Sequence, residues 1–238
     1  MKNACLIILI LFFTELAQGQ NIRISLYTGY GSYQLSELKN LQTQLVNYYN
    51  LFNVKAVQSF PGYIDYMATL EYSPDRINFV GINSSYLTTG ARNSVKDYSG
   101  EYKLDMPLQA TQLGLTYRNE HSISEKVGVY ARLTQGLTFS KLSISEFFTI
   151  YNVDTISNYH SFVARSFYFL PSAGVKIKLG YNVSADLCLG YEFDIQSNLH
   201  EKSSKKDFLY DVDGNTIHVN WSGFRVFFGL AYDFLKSK

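Results

Sequence analysis

The sequence predicts an all-β chain, an eight-stranded antiparallel up-and-down transmembrane β-barrel, and three observations carry that expectation. Apolar side chains alternate with small or polar ones along most of the chain, the period-two signature of strands. The 238 residues include 20 Tyr and 17 Phe while only 17% are charged, below the roughly 25% usual for soluble domains. After residue 20 no apolar run reaches the roughly 18 residues of a membrane helix. The same composition excludes a disordered chain, because there is ample apolar surface to bury. A net charge of +1 gives no basic surplus for nucleic acid, and two Cys make neither a disulfide scaffold nor a four-thiolate zinc site.

Residues 1–19 read as a signal peptide. Lys2 supplies the positive start, Ala4 to Phe13 the apolar stretch, and Ala17-Gln18-Gly19 the small-x-small cleavage pattern. Cleavage before Gln20 removes Cys5 and leaves Cys188 without a disulfide partner. Residues 20–238 then form one barrel domain.

Eight strands follow in order. Weaker alternation marks Ile22–Tyr33, Tyr63–Tyr72, Ile77–Thr88 and a blurred fourth over Ala110–Tyr117, with Pro107 expected before that strand or at a bulge. Clear alternation marks Val127–Leu137, Phe167–Leu179, Leu187–Gln196 and Phe224–Phe234. Short turns are expected at 73–76, 118–125 and 180–182, and long loops at 34–60, 89–109, 141–161 and 197–216. Short turns on the periplasmic side and long loops outside are the habit of such barrels, which puts both termini in the periplasm.

One face of the strands carries Arg23, Asp65, Glu71, Arg118, Arg132, Lys176, Lys178, Asp186, Glu192, Asp194, Arg225 and Asp233, interleaved with glycines; the other is apolar and aromatic. A soluble sandwich would turn the apolar face inward, whereas a membrane barrel turns it to lipid. The aromatic richness of that face and the glycines among the charges favour the membrane arrangement. Six cations and six anions on the inner face are expected to pair and close the lumen.

The first long loop holds an amphipathic helix over Ser36–Phe52. Leu38, Leu41, Leu45, Tyr48 and Phe52 recur at helical spacing, Ser36 is a fit N-cap, and Lys39, Asn40, Gln42, Gln44 and Asn47 form the polar face. It is expected to cover the barrel mouth or loop stems, with docking of an envelope partner or lying on the outer leaflet as the alternatives.

The stretch from Gln20 to Phe234, with its signal and its final Gly229…Tyr232…Phe234, resembles the small bacterial outer-membrane β-barrel proteins of OmpA/OmpX-like type. Thr89-Gly90-x-Arg92 followed by Tyr98-Ser99-Gly100-x-Tyr102 is similar to one branch of them. The resemblance implies residence in the Gram-negative outer membrane among its lipids, and reading of the last strand by the assembly machinery. Leu235–Lys238 beyond the last aromatic depart from relatives that stop there. The fold fixes no activity.

The residues offer no catalytic, metal or cofactor set. His121, His160, His200 and His218 are scattered, without His-x-His or Cys/His spacing. Asp211-Val212-Asp213-Gly214-Asn215 lacks the Gly and Glu positions of a calcium loop and reads as a hairpin turn. His160 and Ser161 point to opposite faces, and His218 and Ser222 lie about 13 Å apart along a strand. Asp154-Thr155-Ile156 resembles an O-glycosylation acceptor of some exported bacterial proteins. A non-enzymatic structural or interaction barrel is therefore expected, ahead of a narrow channel or transporter and of a lipid-modifying envelope enzyme.

Overall fold

The computed structural model describes residues 21–48, 56–151, 153–204 and 206–234, so the segment expected to be a signal peptide and Leu235–Lys238 lie outside the described residues. The elements run β1 (Asn21–Gly31), α1 (Ser36–Tyr48), β2 (Ala56–Ser59), β3 (Tyr63–Ser73), β4 (Asn78–Lys96), β5 (Gly100–Ser122) and β6 (Val127–Ile150). They continue with β7 (Asp154–Lys178), β8 (Val183–Asp194), β9 (Ser197–Asn198), β10 (His200–Glu201), β11 (His218–Val219) and β12 (Gly223–Phe234).

Eight of these strands close a ring. β1, β3, β4, β5, β6, β7, β8 and β12 pair antiparallel in that order, and β12 returns to β1 with Ile22 opposite Phe234. Closure leaves the membrane-crossing part of the wall without an edge, which is the condition for crossing lipid with strands. No described helix is long and apolar enough to cross a membrane. The outward residues of β12, Phe224, Val226, Phe228, Leu230, Tyr232 and Phe234, are all exposed. Ten steps of about 3.4 Å at a tilt near 40° make that band roughly 25 Å tall, the height of a bilayer's apolar zone.

Four wall strands are far longer than a membrane requires. β4 to β7 have 19, 23, 24 and 25 residues, against roughly 9–11 for a spanning strand. The expected long loops at 89–109 and 141–161 are therefore mostly strand, joined by tight tips at 97–99 and 151–153. At the first tip the Asp97 carboxylate accepts from the Ser99 and Gly100 N–H groups.

Strand β5 shows why the sequence blurs there. Its lower inward residues, Gln112, Thr116, Arg118 and Glu120, are polar and buried, while Leu113, Leu115 and Tyr117 face out. Its upper inward residues, Tyr102, Leu104, Met106, Leu108 and Ala110, are apolar and buried, while Glu101, Lys103, Asp105, Gln109 and Thr111 face out. The faces keep their alternation, but polarity changes sides near Thr111 and Gln112. Below that point the outside meets lipid; above it the outside meets water and the inside becomes a hydrophobic core. Two storeys result.

Pro107 corrects its expectation: it lies inside β5, opposite Gly90. The ladder to β6 breaks at Met106 and Pro107 yet resumes in unshifted register, with Asp105 opposite Ser145 and Leu108 opposite Leu142. The missing N–H is absorbed as a two-residue gap. The fourth strand, expected over 110–117, is thus 100–122, and the turn expected at 118–125 shrinks to 123–126.

Helix α1 starts with Leu35 as first acceptor, from the Lys39 N–H at 3.0 Å, so Ser36 stands one place inside the cap. It ends at Tyr48; the rest of the expected 36–52 span, including Phe52, lies outside the described residues.

Candidate functional site

The lower lumen is wired by ion pairs carried on facing strands. Arg118 Nη1 of β5 lies 2.6 Å from Asp186 Oδ2 of β8, and Arg118 Nη2 lies 2.9 Å from Glu120 Oε2. Arg23 of β1 bonds Glu120 at 2.7 Å and Asp233 at 2.6 Å, and Lys176 of β7 bridges the same two acids at 3.1 and 3.2 Å. Nearer the outer end, Arg225 of β12 pairs with Asp65 and Glu192 at 3.1 and 3.3 Å. Rings cover the guanidinium faces: Arg118 lies 3.5 Å from the Tyr130 centroid and Arg23 4.0 Å from that of Phe79. Arg132 lies over Tyr27 and donates to Cys188 Sγ at 3.4 Å.

All twelve expected inner charges lie on the inner face; Lys178, at the end of β7, is exposed at the lumen mouth, where it lines a cavity with Arg23, Lys176 and Asp233. Glu120, which the sequence reading consigned to a turn, is buried and holds three cations. Its signal was its even spacing from Thr116 and Arg118 on one strand face. The lumen thus holds five bases (Arg23, Arg118, Arg132, Lys176, Arg225) and seven acids (Asp65, Glu71, Glu120, Asp186, Glu192, Asp194, Asp233). Glu71 is buried with no hydrogen-bond partner among the described residues.

Above the ion pairs the chain plugs its own mouth. Trp221 is fully buried, donates from Nε1 to Ser140 Oγ at 2.9 Å and meets the Tyr33 ring edge-on at 4.8 Å. Arg225 secures the approach to that Trp by donating to the Trp221 and Ser32 carbonyls, both at 2.6 Å. Leu38 and Leu41 of α1, with Leu35 just before it, pack into the core formed by Leu104, Met106, Leu142, Leu199, Ile217 and Val219. Gln42, expected on the solvated face, is buried and donates to Asn93. Glu37 ties the helix start to the fourth loop, accepting from the His218 N–H at 2.7 Å and meeting Nδ1 at 3.0 Å. The helix is a lid, as expected, but one built into a core.

The scattered candidates stay apart. His121 is exposed at the end of β5, His160 stacks at 6.4 Å on Phe162, and His200 pairs opposite Val163. His218 is engaged by Glu37, and Ser222 Oγ accepts from the Asp194 N–H at 2.9 Å. Asp211 closes a hairpin turn: its Oδ1 accepts from the Asp213 and Asn215 N–H groups at 3.0 and 2.7 Å, and Gly214 takes φ of 83°. Those donors hold the Asp211 carboxyl below its ordinary pKa. Thr155 is exposed, its hydroxyl 2.7 Å from that of Thr149. No group of three or more His, Cys, Asp or Glu that suits a metal occurs among the described residues.

No protein-family model and no curated protein matches the sequence. Among solved structures the chain is similar to Neisserial surface protein A, with 10% identity, 91% of this chain and 100% of that chain covered, and a TM-score of 0.45. It is similar to a major outer membrane protein from Thermus thermophilus, with 13% identity, 90% and 99% covered, and a TM-score of 0.46. It is also similar to the outer membrane protease OmpT from Escherichia coli, with 10% identity, 91% and 97% covered, and a TM-score of 0.31. The fold stands on the chain's own ring of pairings, its apolar girdle and its ionic lumen. By that geometry the chain is a small eight-stranded transmembrane β-barrel.

Proposed function

We propose that this chain is a non-enzymatic, non-conducting outer-membrane barrel that serves as a structural and interaction platform at the cell surface. The observation that carries the reading is the second storey, in which hairpins continue beyond the lipid zone around a packed core and an integral helical lid. A pore gains nothing from a hydrophobic plug in its mouth, while a surface platform gains stiffness from it. The ion pairs below the plug support the closed lumen, because charges held this way leave no continuous aqueous path.

Export by a signal peptide of residues 1–19 and recognition of Gly229…Phe234 by the outer-membrane assembly machinery belong to the same proposal. β1 begins and β12 ends at the barrel end that carries the short turns, which supports periplasmic termini. The test is electrical. Purified full-length protein in planar bilayers is expected to show little or no steady conductance; large, long-lived channels would put the narrow-channel reading first.

A further inference from the structure

At the barrel end that carries the short turns, the lumen opens into a cavity of 230 Å³. Its floor is the network of Arg23, Lys176, Glu120 and Asp233, in which both acids are already taken by the two bases at 2.6 to 3.2 Å. Two further cations line it, Arg76 in the turn between β3 and β4 and Lys178 at the end of β7. Both are exposed, and neither side chain has an ion pair or hydrogen bond among the described residues. Four cations against two acids leave the cavity a positive surplus of two. In the ring β3 and β4 stand opposite β7 and β8, so the two free cations come from opposite sides of the mouth.

Ser184 adds a third free donor. It pairs with Lys178 in the β7–β8 ladder, so the two side chains share the inner face. Ser184 is 1% exposed and lines the cavity, yet its Oγ has no hydrogen-bond partner among the described residues. A buried hydroxyl left unpaired is costly, and the cavity is where a partner atom can sit. The rims are braced in advance. Arg76 is held at φ of 64°, a left-handed conformation that glycine adopts more easily, by a turn in which Ser73 Oγ accepts from its N–H at 2.8 Å. The Ile77 carbonyl accepts from the Glu120 N–H at 2.8 Å, and on the other rim the Asn182 carbonyl accepts from the Asp233 N–H at 2.8 Å. Little ordering is then needed when a ligand arrives.

We propose that this cavity is a binding site for a phosphate monoester, whose three free oxygens are shared among Arg76, Lys178 and Ser184. A phosphate monoester carries about −1.5 to −2 charges at pH 7, matching the surplus of two, and its three acceptor oxygens match the three free donors. A carboxylate offers one charge and two oxygens and leaves one donor unpaired. The 230 Å³ suits a phosphate with a short organic body and is below the size of a drug-sized pocket. The hydrophobic plug closes the far end, so the ligand enters and leaves by this mouth. The phosphate is presented either by a soluble ester or by a lipid with a terminal phosphate in the adjoining leaflet; the recognition chemistry is the same. This site goes beyond the platform reading, which concerns the opposite end of the barrel.

The test is isothermal titration of the refolded full chain in detergent micelles, with glycerol 3-phosphate as the soluble probe and phosphatidic acid in the same micelles as the lipid probe. One-to-one saturable binding is expected for at least one probe. Its affinity is expected to fall about tenfold or more for Arg76→Gly and for Lys178→Gln, and about threefold or more for Ser184→Ala, as the loss of one charge-assisted hydrogen bond requires. Glycine suits the left-handed turn and Lys178 has no partner to lose, so the first two variants keep the wall; unchanged migration on unheated gels checks this. Binding of glycerol 3-phosphate that Arg76→Gly weakens assigns a soluble ester, and binding of phosphatidic acid alone with the same dependence assigns a lipid headgroup; either supports the site. No saturable binding of either probe, equal binding by Arg76→Gly and Lys178→Gln, or acetate binding as tightly as both probes would overturn it.

Discussion

Arg118 Nη1 stands 2.6 Å from Asp186 Oδ2 across the lumen, and neither side chain exposes any surface to solvent. The two lie on β5 and β8, strands separated in the wall by β6 and β7, so their contact spans the barrel. A charge there cannot relax into water if its partner is lost, and this fixes the first prediction.

Asp186→Leu should lower the unfolding free energy by roughly 3 kcal/mol, the low end for breaking a buried pair, because Glu120 still holds Arg118. Adding Arg118→Met should recover most of that loss, since Glu120 keeps Arg23 and Lys176. Urea unfolding of the barrel in lipid vesicles, run on the single and double variants, measures both. A double variant no better than the single would show that the lumen depends on the charges themselves.

The wall predicts a sharp difference between neighbouring residues of β8. Leu189 faces lipid midway along its strand and Phe228 does so on β12. Leu189→Arg and Phe228→Arg should each cost roughly 2–4 kcal/mol, the price of an arginine at the bilayer midplane. Cys188→Ser should change stability little, because that side chain faces the lumen and the serine hydroxyl accepts from Arg132 as the thiol does. Folding yield into vesicles compares the three.

The lid is expected to fail locally. Leu38 is completely buried in the upper core, so Leu38→Ala should destabilise the second storey by roughly 2–5 kcal/mol. Hydrogen exchange should speed up in α1 and the fourth loop while the lipid-facing strands keep their protection. Deleting Ser36–Asn50 should still give a barrel with fast unheated migration, but with protease-sensitive outer hairpins. Loss of insertion in that deletion would make the lid part of the assembly pathway.

One carboxylate gives a pH test outside the membrane. Asp75, in the turn between β3 and β4, accepts from the Ile77 and Asn78 N–H groups and from the Asn78 side chain, and its pKa is lowered to about 2. A depressed folded value means stabilisation that is full above the unfolded carboxylate range, near pH 4, and is lost as pH falls through about 2. Amide exchange at Ile77 and Asn78 should therefore accelerate on acidification across that window, and Asp75→Ala should remove the pH dependence.

The sequence by itself determined the wall. Period-two alternation marked all eight strands, their aromatic lipid face and twelve inner charges, because each of those features is local and repeats every second residue. It also marked α1, through leucines at helical spacing. Tertiary structure decided what local pattern leaves open. Alternation says which side chains share a face but not which medium the face meets, so the reversal of polarity at Thr111 and Gln112 read as a blurred strand ending in long loops. Only the closed ring, with lipid around its lower half and water around its upper half, makes one continuous strand of both patterns. Glu120 became a lumen residue for the same reason: Arg23, Arg118 and Lys176 come from three strands and meet at one carboxylate only when the ring closes.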